Sequence, residues 1–316
     1  MNFLHEDPQF SNLLRIVAEK RKLAVGLVEK DYWVTHTLWA LHQGTDLQVW
    51  FKGGTSLSKG FSLIHRFSED LDLRIDSTTA GVTSTAWPKK PTKAQVAARV
   101  KYFQALELQL VVPGAKVDIL ELNAEGRGAD YKVTYPGQFV ETVAPPNSPF
   151  VKLEVGRALV SPFVPRSVAS FVHEELEALG QLASYADNRA SNVRCVHPRV
   201  TLIEKLDAIA WRFDRNRDPS EYIRHYEDAA RIIQEEGNLP PLEETFGDTA
   251  KAIGPSLRLK RLAPADHPAF ATTAAKDARL QAAHDAIGPM FWAPRLSLED
   301  ACRTIRDWRS PRRRGG

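Results

Sequence analysis

Residues 47 to 76 constrain the fold more than any other stretch. Leu47, Val49 and Phe51 alternate with Gln48, Trp50 and Lys52, the pattern of a half-buried strand. Gly53 and Gly54 end that run. From about Thr55, Leu57, Phe61 and Ile64 recur at helical spacing, which predicts a helix of about eleven residues. Phe67 to Asp76 then alternates again. Leu71, Leu73 and Ile75 fall on one face, and Asp70, Asp72, Arg74 and Asp76 fall on the other. Strand, glycine turn, helix, strand is the opening of an α/β unit. It sets Asp70 and Asp72 on one face of one strand, turned toward the glycines.

Two carboxylates so placed suit a divalent cation such as Mg²⁺ (or Mn²⁺), which takes few protein ligands and completes its shell with water and phosphate oxygens. A Gly-Gly turn lets backbone N–H groups approach phosphates, and a following helix start adds partial positive charge. Gly53, Gly54, Thr55, Ser56 and Lys59 are therefore candidates for holding a nucleoside triphosphate (NTP), with Ser58 a further hydroxyl donor. A P-loop is excluded. It needs G-x-x-x-x-G-K-[ST], whereas Lys59 here follows Ser58 and precedes Gly60.

The 316 residues are enough for one large or two medium domains. A net charge of +3 does not by itself demand a nucleic-acid partner, so local clusters matter more. Cys195 and Cys302 make neither a disulfide framework nor metal-ligand spacing. The N-terminus has no signal-peptide pattern, and no apolar run reaches membrane-spanning length. The expectation is a soluble, cytoplasmic protein with no membrane partner. The histidines are scattered, and neither H-E-x-x-H nor G-x-S-x-G occurs, which argues against a metalloprotease or serine hydrolase.

Residues 9–43 read as one or two helices, the second aromatic-rich and suited to a core. Residues 77–93 read as a surface loop carrying Lys89, Lys90 and Lys93 near Trp87. A helix is expected from about Ala94 to Val111, then strands at 115–122, 130–135 and 149–159. SPFVPRS, with Pro162 and Pro165, marks the expected boundary between a sheet domain (1–163) and a mostly helical one (164–316). Residues 192–199 read as a short extended link. Leu202, Leu206, Ile209 and Phe213 form a helical stripe flanked by Lys205 and Arg212. Asp218-Pro219-Ser220-Glu221 is a helix start, and Arg224–Asp228 is spaced as an i,i+4 ion pair. Arg258, Lys260 and Arg261 cluster downstream. Ser297 caps a last helix, and the tail with Arg309 and Arg312 to Arg314 is basic.

KGGTSLSKG followed by FSEDLDL resembles the signature of the DNA polymerase β-like nucleotidyltransferase superfamily. More closely, it resembles the AbiEii/AbiGii toxin family, which includes the MenT toxins. VEKDYW upstream, EKLDAIAWR and RHYEDA match further motifs of that family. The resemblance implies an α/β (α+β) fold: a nucleotidyltransferase-type mixed sheet with flanking helices, plus a C-terminal mostly helical domain. It implies a Mg²⁺-dependent enzyme that moves a nucleoside monophosphate from an NTP to an acceptor hydroxyl. By the family precedent the acceptor is the 3′ end of tRNA, which would block translation, and the partner is a cognate antitoxin. Carried over, Asp70 and Asp72 hold metal, and Lys205 and Asp228 are catalytic. Arg212 joins the NTP contacts. A third carboxylate comes from a neighbouring strand, Glu154 first and Asp118 second, although either could instead pair with Lys152, Arg157 or Lys116. Glu227 stands where the family often has an aromatic. Two alternatives remain open: a nucleotide- or RNA-binding module without turnover, and transfer to a protein hydroxyl.

Overall fold

The structure is a computed structural model. It describes residues 1–43, 47–68, 70–76, 90–139, 149–157 and 162–310. Glu69, most of the expected 77–93 loop with Trp87 and Lys89, the end of the 149–159 strand, and Arg312 to Arg314 lie outside the described residues. The chain forms two compact units. The first comprises residues 1–60 and 68–195, and the second 61–67 and 196–316.

The first unit is built on a seven-stranded mixed sheet, in the order β3-β4-β5-β2-β1-β7-β6. The strands are β1 (Val49–Lys52), β2 (Asp70–Ile75), β3 (Lys116–Leu122), β4 (Gly128–Thr134), β5 (Val151–Arg157), β6 (Phe163–Val168) and β7 (Ala190–Val196). Strand β1 pairs antiparallel with β2, while β2 pairs parallel with β5 and β1 parallel with β7. The alternation read from the sequence is what allows one face to bury. Phe51, Leu71, Leu73, Leu153 and Tyr131 are fully buried, while Asp70, Asp72 and Arg74 on the other face are only half-buried.

Helix α1 (Phe10–Arg21) ends at Lys22 in the left-handed conformation, which separates it from α2 (Val25–Gln43). Fifteen of the nineteen residues of α2 are buried, so it is a central helix rather than an amphipathic surface one. Its polar residues are spent on neighbours. Glu29 accepts from the N–H groups of Gln138 and Phe139, and Asp31 accepts from the N–H of Phe171 at the start of α5 (Phe171–Ala178). Tyr32 and His36 join Asn188 and His173 in one buried hydrogen-bonded network. Helix α4 (Lys93–Glu107) begins with a Thr92 capping box and is tied to β4 by the Tyr131 hydroxyl, which donates to the Phe103 carbonyl.

Three expectations are corrected here. Most of the SPFVPRS segment lies in edge strand β6, so it is part of the sheet and not the boundary of the sheet domain. Its Pro165 is tolerated because an edge strand needs fewer ladder donors. Residues 192–199 are not a link either. Most of them complete β7, so the first unit closes at residue 195 rather than at 163. After the glycine turn the chain is helical only through α3 (Gly53–Thr55) and a π turn to Gly60. Ser62 adopts a left-handed conformation, and the chain then leaves the helix for the extended 61–67 segment.

The second unit is helical. It contains α6 (Pro198–Asp214), α7 (Arg224–Gln234), α8 (Phe246–Ile253), α9 (Ala278–Ala286) and α10 (Leu298–Arg309). Asp218 caps a single 3-10 turn (Pro219–Glu221), and α7 starts afresh at Arg224, so the expected continuous helix is interrupted. Two buried carboxylates hold the loops. Asp207 accepts from the N–H groups of Arg258 and Leu259, and Glu227 accepts from the Leu296 N–H and from Arg295. The latter explains a polar residue where an aromatic would otherwise pack. Among the described residues, no helix is long and apolar enough to cross a membrane.

Candidate active site

The acid face of the sheet is set by strand register. Asp72 on β2 lies opposite Glu154 on β5, and Glu154 lies opposite Asp130 on β4. Directly opposed residues share a face, so three carboxylates form one row. Lys152 lies one pleat away on the same face. It bridges Glu154 at 2.7 Å and Asp130 at 2.8 Å. Burial and the neighbouring Asp72 charge push the Glu154 carboxyl up, against the pull of Lys152. Asp118 is paired with exposed Lys116 at 2.6 Å and sits on β3, three strands from β2. That is about 14 Å at ordinary strand spacing. Register therefore brings Glu154 to Asp72 and leaves Asp118 apart.

The glycine turn meets the same acids. Gly53 has φ +79°, and a Cβ there would collide with the Asp72 carboxylate. Only glycine suits both the backbone and the contact. Thr55 is buried, and its hydroxyl donates to the backbone carbonyls of Asp70 (2.6 Å) and Ser68 (2.9 Å), clipping the turn to β2. Ser58 donates to the Thr55 carbonyl, and Ser56 is buried. The hydroxyls of Thr55 and Ser58, expected from the sequence to donate to phosphate, are thus spent on the turn itself, whereas the buried Ser56 hydroxyl has no hydrogen-bond partner among the described residues. Lys59 is also engaged. Its ammonium lies 2.5 Å from Asp31, donates to the Ala169 carbonyl at 3.0 Å, and rests 4.5 Å from the centre of the Phe171 ring. Gly54 lies beside Gly53 in the first turn of α3.

In the second unit Lys205 on α6 and Asp228 on α7 are brought together at 2.7 Å. Asp228 is wholly buried and also receives two bonds from Arg66, at 2.8 and 2.7 Å. Arg66 comes from the 61–67 segment. It takes the place given in the sequence reading to Arg224, which does not bond Asp228. Burial opposes ionisation of Asp228, but the charges of Arg66 and Lys205 outweigh it and hold the carboxyl well below its usual range. Burial, with Arg66 and Arg224 nearby, lowers the Lys205 ammonium despite Asp228. Two cations share one carboxylate here, so the triad carries a net positive charge. Nothing in the sequence spacing pointed to Arg66. The only signal was an arginine in an otherwise apolar stretch before the acid strand.

Arg212, two turns along α6, is 3.6 Å from Glu221, and the charges of Arg258 and Arg224 act on it. His225 is held neutral by burial and by Lys205, Arg224 and Arg212, and its Nδ1 finds no hydrogen-bond partner among the described residues. Among the described residues Lys205 has one hydrogen-bond partner, Asp228, for its three N–H donors. This corner is equipped to receive an anion.

A cation fits the acid row on its chemistry. Hard carboxylate oxygens are the right donors for Mg²⁺ or Mn²⁺, and Gly53 keeps a side chain out of the space beside Asp72. Among the described residues no group of three or more histidine, cysteine or acidic side chains is placed so as to hold a metal ion.

The family profile described as "Nucleotidyl transferase AbiEii toxin, Type IV TA system" matches residues 37–297. The chain belongs to that family of nucleotidyltransferase toxins of type IV toxin–antitoxin systems. Among solved structures it is similar to MenT4, the nucleotidyltransferase toxin Rv2826c from Mycobacterium tuberculosis H37Rv. The identity is 15% over 94% of this chain and 99% of that one, with a TM-score of 0.40. No curated protein sequence matches the chain.

Proposed function

We propose that the chain transfers a nucleoside monophosphate from an NTP to the 3′-hydroxyl of tRNA, and that the capped tRNA can no longer be aminoacylated, which stops translation. The observation that carries this reading is the acid row at Asp72 and Glu154 pressed against the side-chain-free Gly53.

The acceptor oxygen attacks the α-phosphorus, a new P–O bond forms, and the α–β bridging bond breaks to release pyrophosphate. Asp70 and Asp72 would hold Mg²⁺ (or Mn²⁺), which would supply positive charge beside the phosphate oxygens and acidify the acceptor hydroxyl. Glu154, raised by burial and by Asp72, accepts the hydroxyl proton. The backbone of Gly53 and Gly54 contacts the phosphates. Thr55 and Lys59 act by holding that turn in shape, and the unpartnered Ser56 hydroxyl is left to donate to phosphate. Lys205, oriented by Asp228 and with donors to spare, neutralises charge as the phosphate transfers, and Arg212 assists along the same helix. An antitoxin made with the toxin keeps it silent in the cell.

The test is incubation with labelled NTPs, Mg²⁺ and total RNA, followed by sequencing of tRNA 3′ ends. Added nucleotides that vanish in Asp70→Ala are expected. Label in protein instead would redirect the acceptor, and nucleotide binding without incorporation would reduce the chain to a binding module.

A further inference from the structure

One row beyond the acids, the same face of the sheet changes character. Arg194, Trp50, Arg74, Gly156 and Gly128 are directly opposed across β7, β1, β2, β5 and β4. They form a second row beside the carboxylates, all within the first unit. Gly156 has a physical reason to be glycine, since a Cβ there would meet the Arg74 guanidinium. Arg74 therefore lies across β5, where among the described residues its guanidinium donates to the Leu73 carbonyl alone, at 3.1 Å. Arg194 sits between two rings, 5.1 Å from the centre of Trp50 and 5.7 Å from that of Phe163. Its Nη1 donates to Gln48 at 3.0 Å. The rings themselves meet edge to face, 6.4 Å apart at 84°. Trp50 Nε1 is buried without a hydrogen-bond partner among the described residues. Phe163 stands at the sheet edge, 43% exposed.

An exposed ring backed by a second ring, with one arginine beside both rings and a second arginine further along the row, has two complementary surfaces. The ring takes a flat, unpaired base, and the guanidinium groups take phosphates. Arg194 and Arg74 lie on opposite sides of Trp50, so they address separate phosphates. Along β2, Arg74 is bounded by Asp72 on one side and Asp76 on the other. These acids repel a polyanion that would run along the strand. They leave it the path along the row, from the Phe163 edge toward β5.

Resting on the nucleotidyl-transfer reading, we propose that this row is the docking platform for the unpaired end of the acceptor RNA: a base stacks on Phe163, and successive phosphates pair with Arg194 and Arg74. The donor NTP does not use it.

The test is fluorescence anisotropy with the full chain and a fluorescein-labelled single-stranded oligoribonucleotide of about ten nucleotides, without NTP. Phe163→Ala should weaken binding roughly tenfold and Phe163→Tyr should restore it, because either ring offers a stacking face. Arg74→Ala and Arg194→Ala should each weaken binding and flatten its salt dependence by about one phosphate. Phe163 is exposed and on an edge strand, so its replacement should leave the melting temperature unchanged. In transfer assays Phe163→Ala should raise the KM for RNA and not the KM for NTP. If all three alanine variants bind RNA like the wild type, the platform is wrong. A raised KM for NTP with RNA binding unchanged would assign the row to the donor and overturn it as well. If RNA binding is lost in Phe163→Ala while the wild type transfers nothing to any RNA, the platform stands and the enzymatic reading falls.

Discussion

The two units treat charge in opposite ways. In the sheet unit three carboxylates stand in one half-open row beside a single lysine: Lys152 bridges Glu154 and Asp130, and Asp72 lies opposite Glu154. In the helical unit two cations share one fully buried carboxylate. The first arrangement has surplus negative charge in reach of solvent, so it can take up or give back a cation at small structural cost. The second has its surplus inside, where an unpaired charge is expensive. The lesson is that a residue can be indispensable for two unrelated reasons. An acid of the open row matters for what it binds, and the buried acid matters first for what it neutralises.

Exchanging single residues should pull these reasons apart. The largest effect is expected from Asp72→Ala, which should reduce nucleotide incorporation to background and abolish growth inhibition on expression, with an unchanged melting temperature. Asp228→Ala should also abolish activity, but through the fold. It leaves Arg66 and Lys205 buried together without a counter-charge, at a cost of about 3–5 kcal/mol, read by urea denaturation. Lys205→Met sharpens the contrast. It keeps the Arg66–Asp228 pair, so transfer should fall to background while stability changes far less than in Asp228→Ala. A destabilisation equal to that of Asp228→Ala would make Lys205 a structural residue only.

Acid should strain the sheet unit next. Burial holds His36 and His173 neutral, each down to about 4. The unfolded chain binds protons near pH 6.5 that the native rings refuse, so the contribution is intact above pH 6.5 and is lost as pH falls toward 4. The loss is on the order of 2 kcal/mol per ring. Hydrogen exchange across α2 and α5 at pH 7 and pH 5 measures it, and equal protection at both would refute it. The smallest effect belongs to Lys116→Ala. Lys116 and Asp118 form an exposed pair on β3, and its loss should move neither activity nor melting temperature.

Much of this was legible before any coordinates. The alternation in β1 and β2 placed Asp70 and Asp72 on one face, and the glycine pair placed the turn, because period-two burial is written residue by residue. The stripe around Lys205 gave α6 for the same reason. What the sequence hid depends on partners distant in the chain. Lys59 carried no mark of its pairing with Asp31, and Arg66 none of its hold on Asp228. The stretch that forms β6 read as a domain boundary because of Pro162 and Pro165, and β7 read as a link because its partner strand β1 (Trp50 opposite Arg194) lies about 145 residues earlier in the chain. The eleven-residue helix was overestimated because Phe61 and Ile64 keep helical spacing although Ser62 turns the backbone left-handed.

The short 61–67 segment has a consequence for how such a chain can be divided. It belongs to the helical unit, yet it is spliced between the glycine turn and the acid strand of the other. A fragment starting at residue 196 would lack the guanidinium that clamps the buried aspartate. The helical half therefore cannot be expressed, swapped into a relative or lost by a single recombination event with its interior intact. Any cut that is to keep the buried aspartate clamped has to carry residues 61–67 along with the helices.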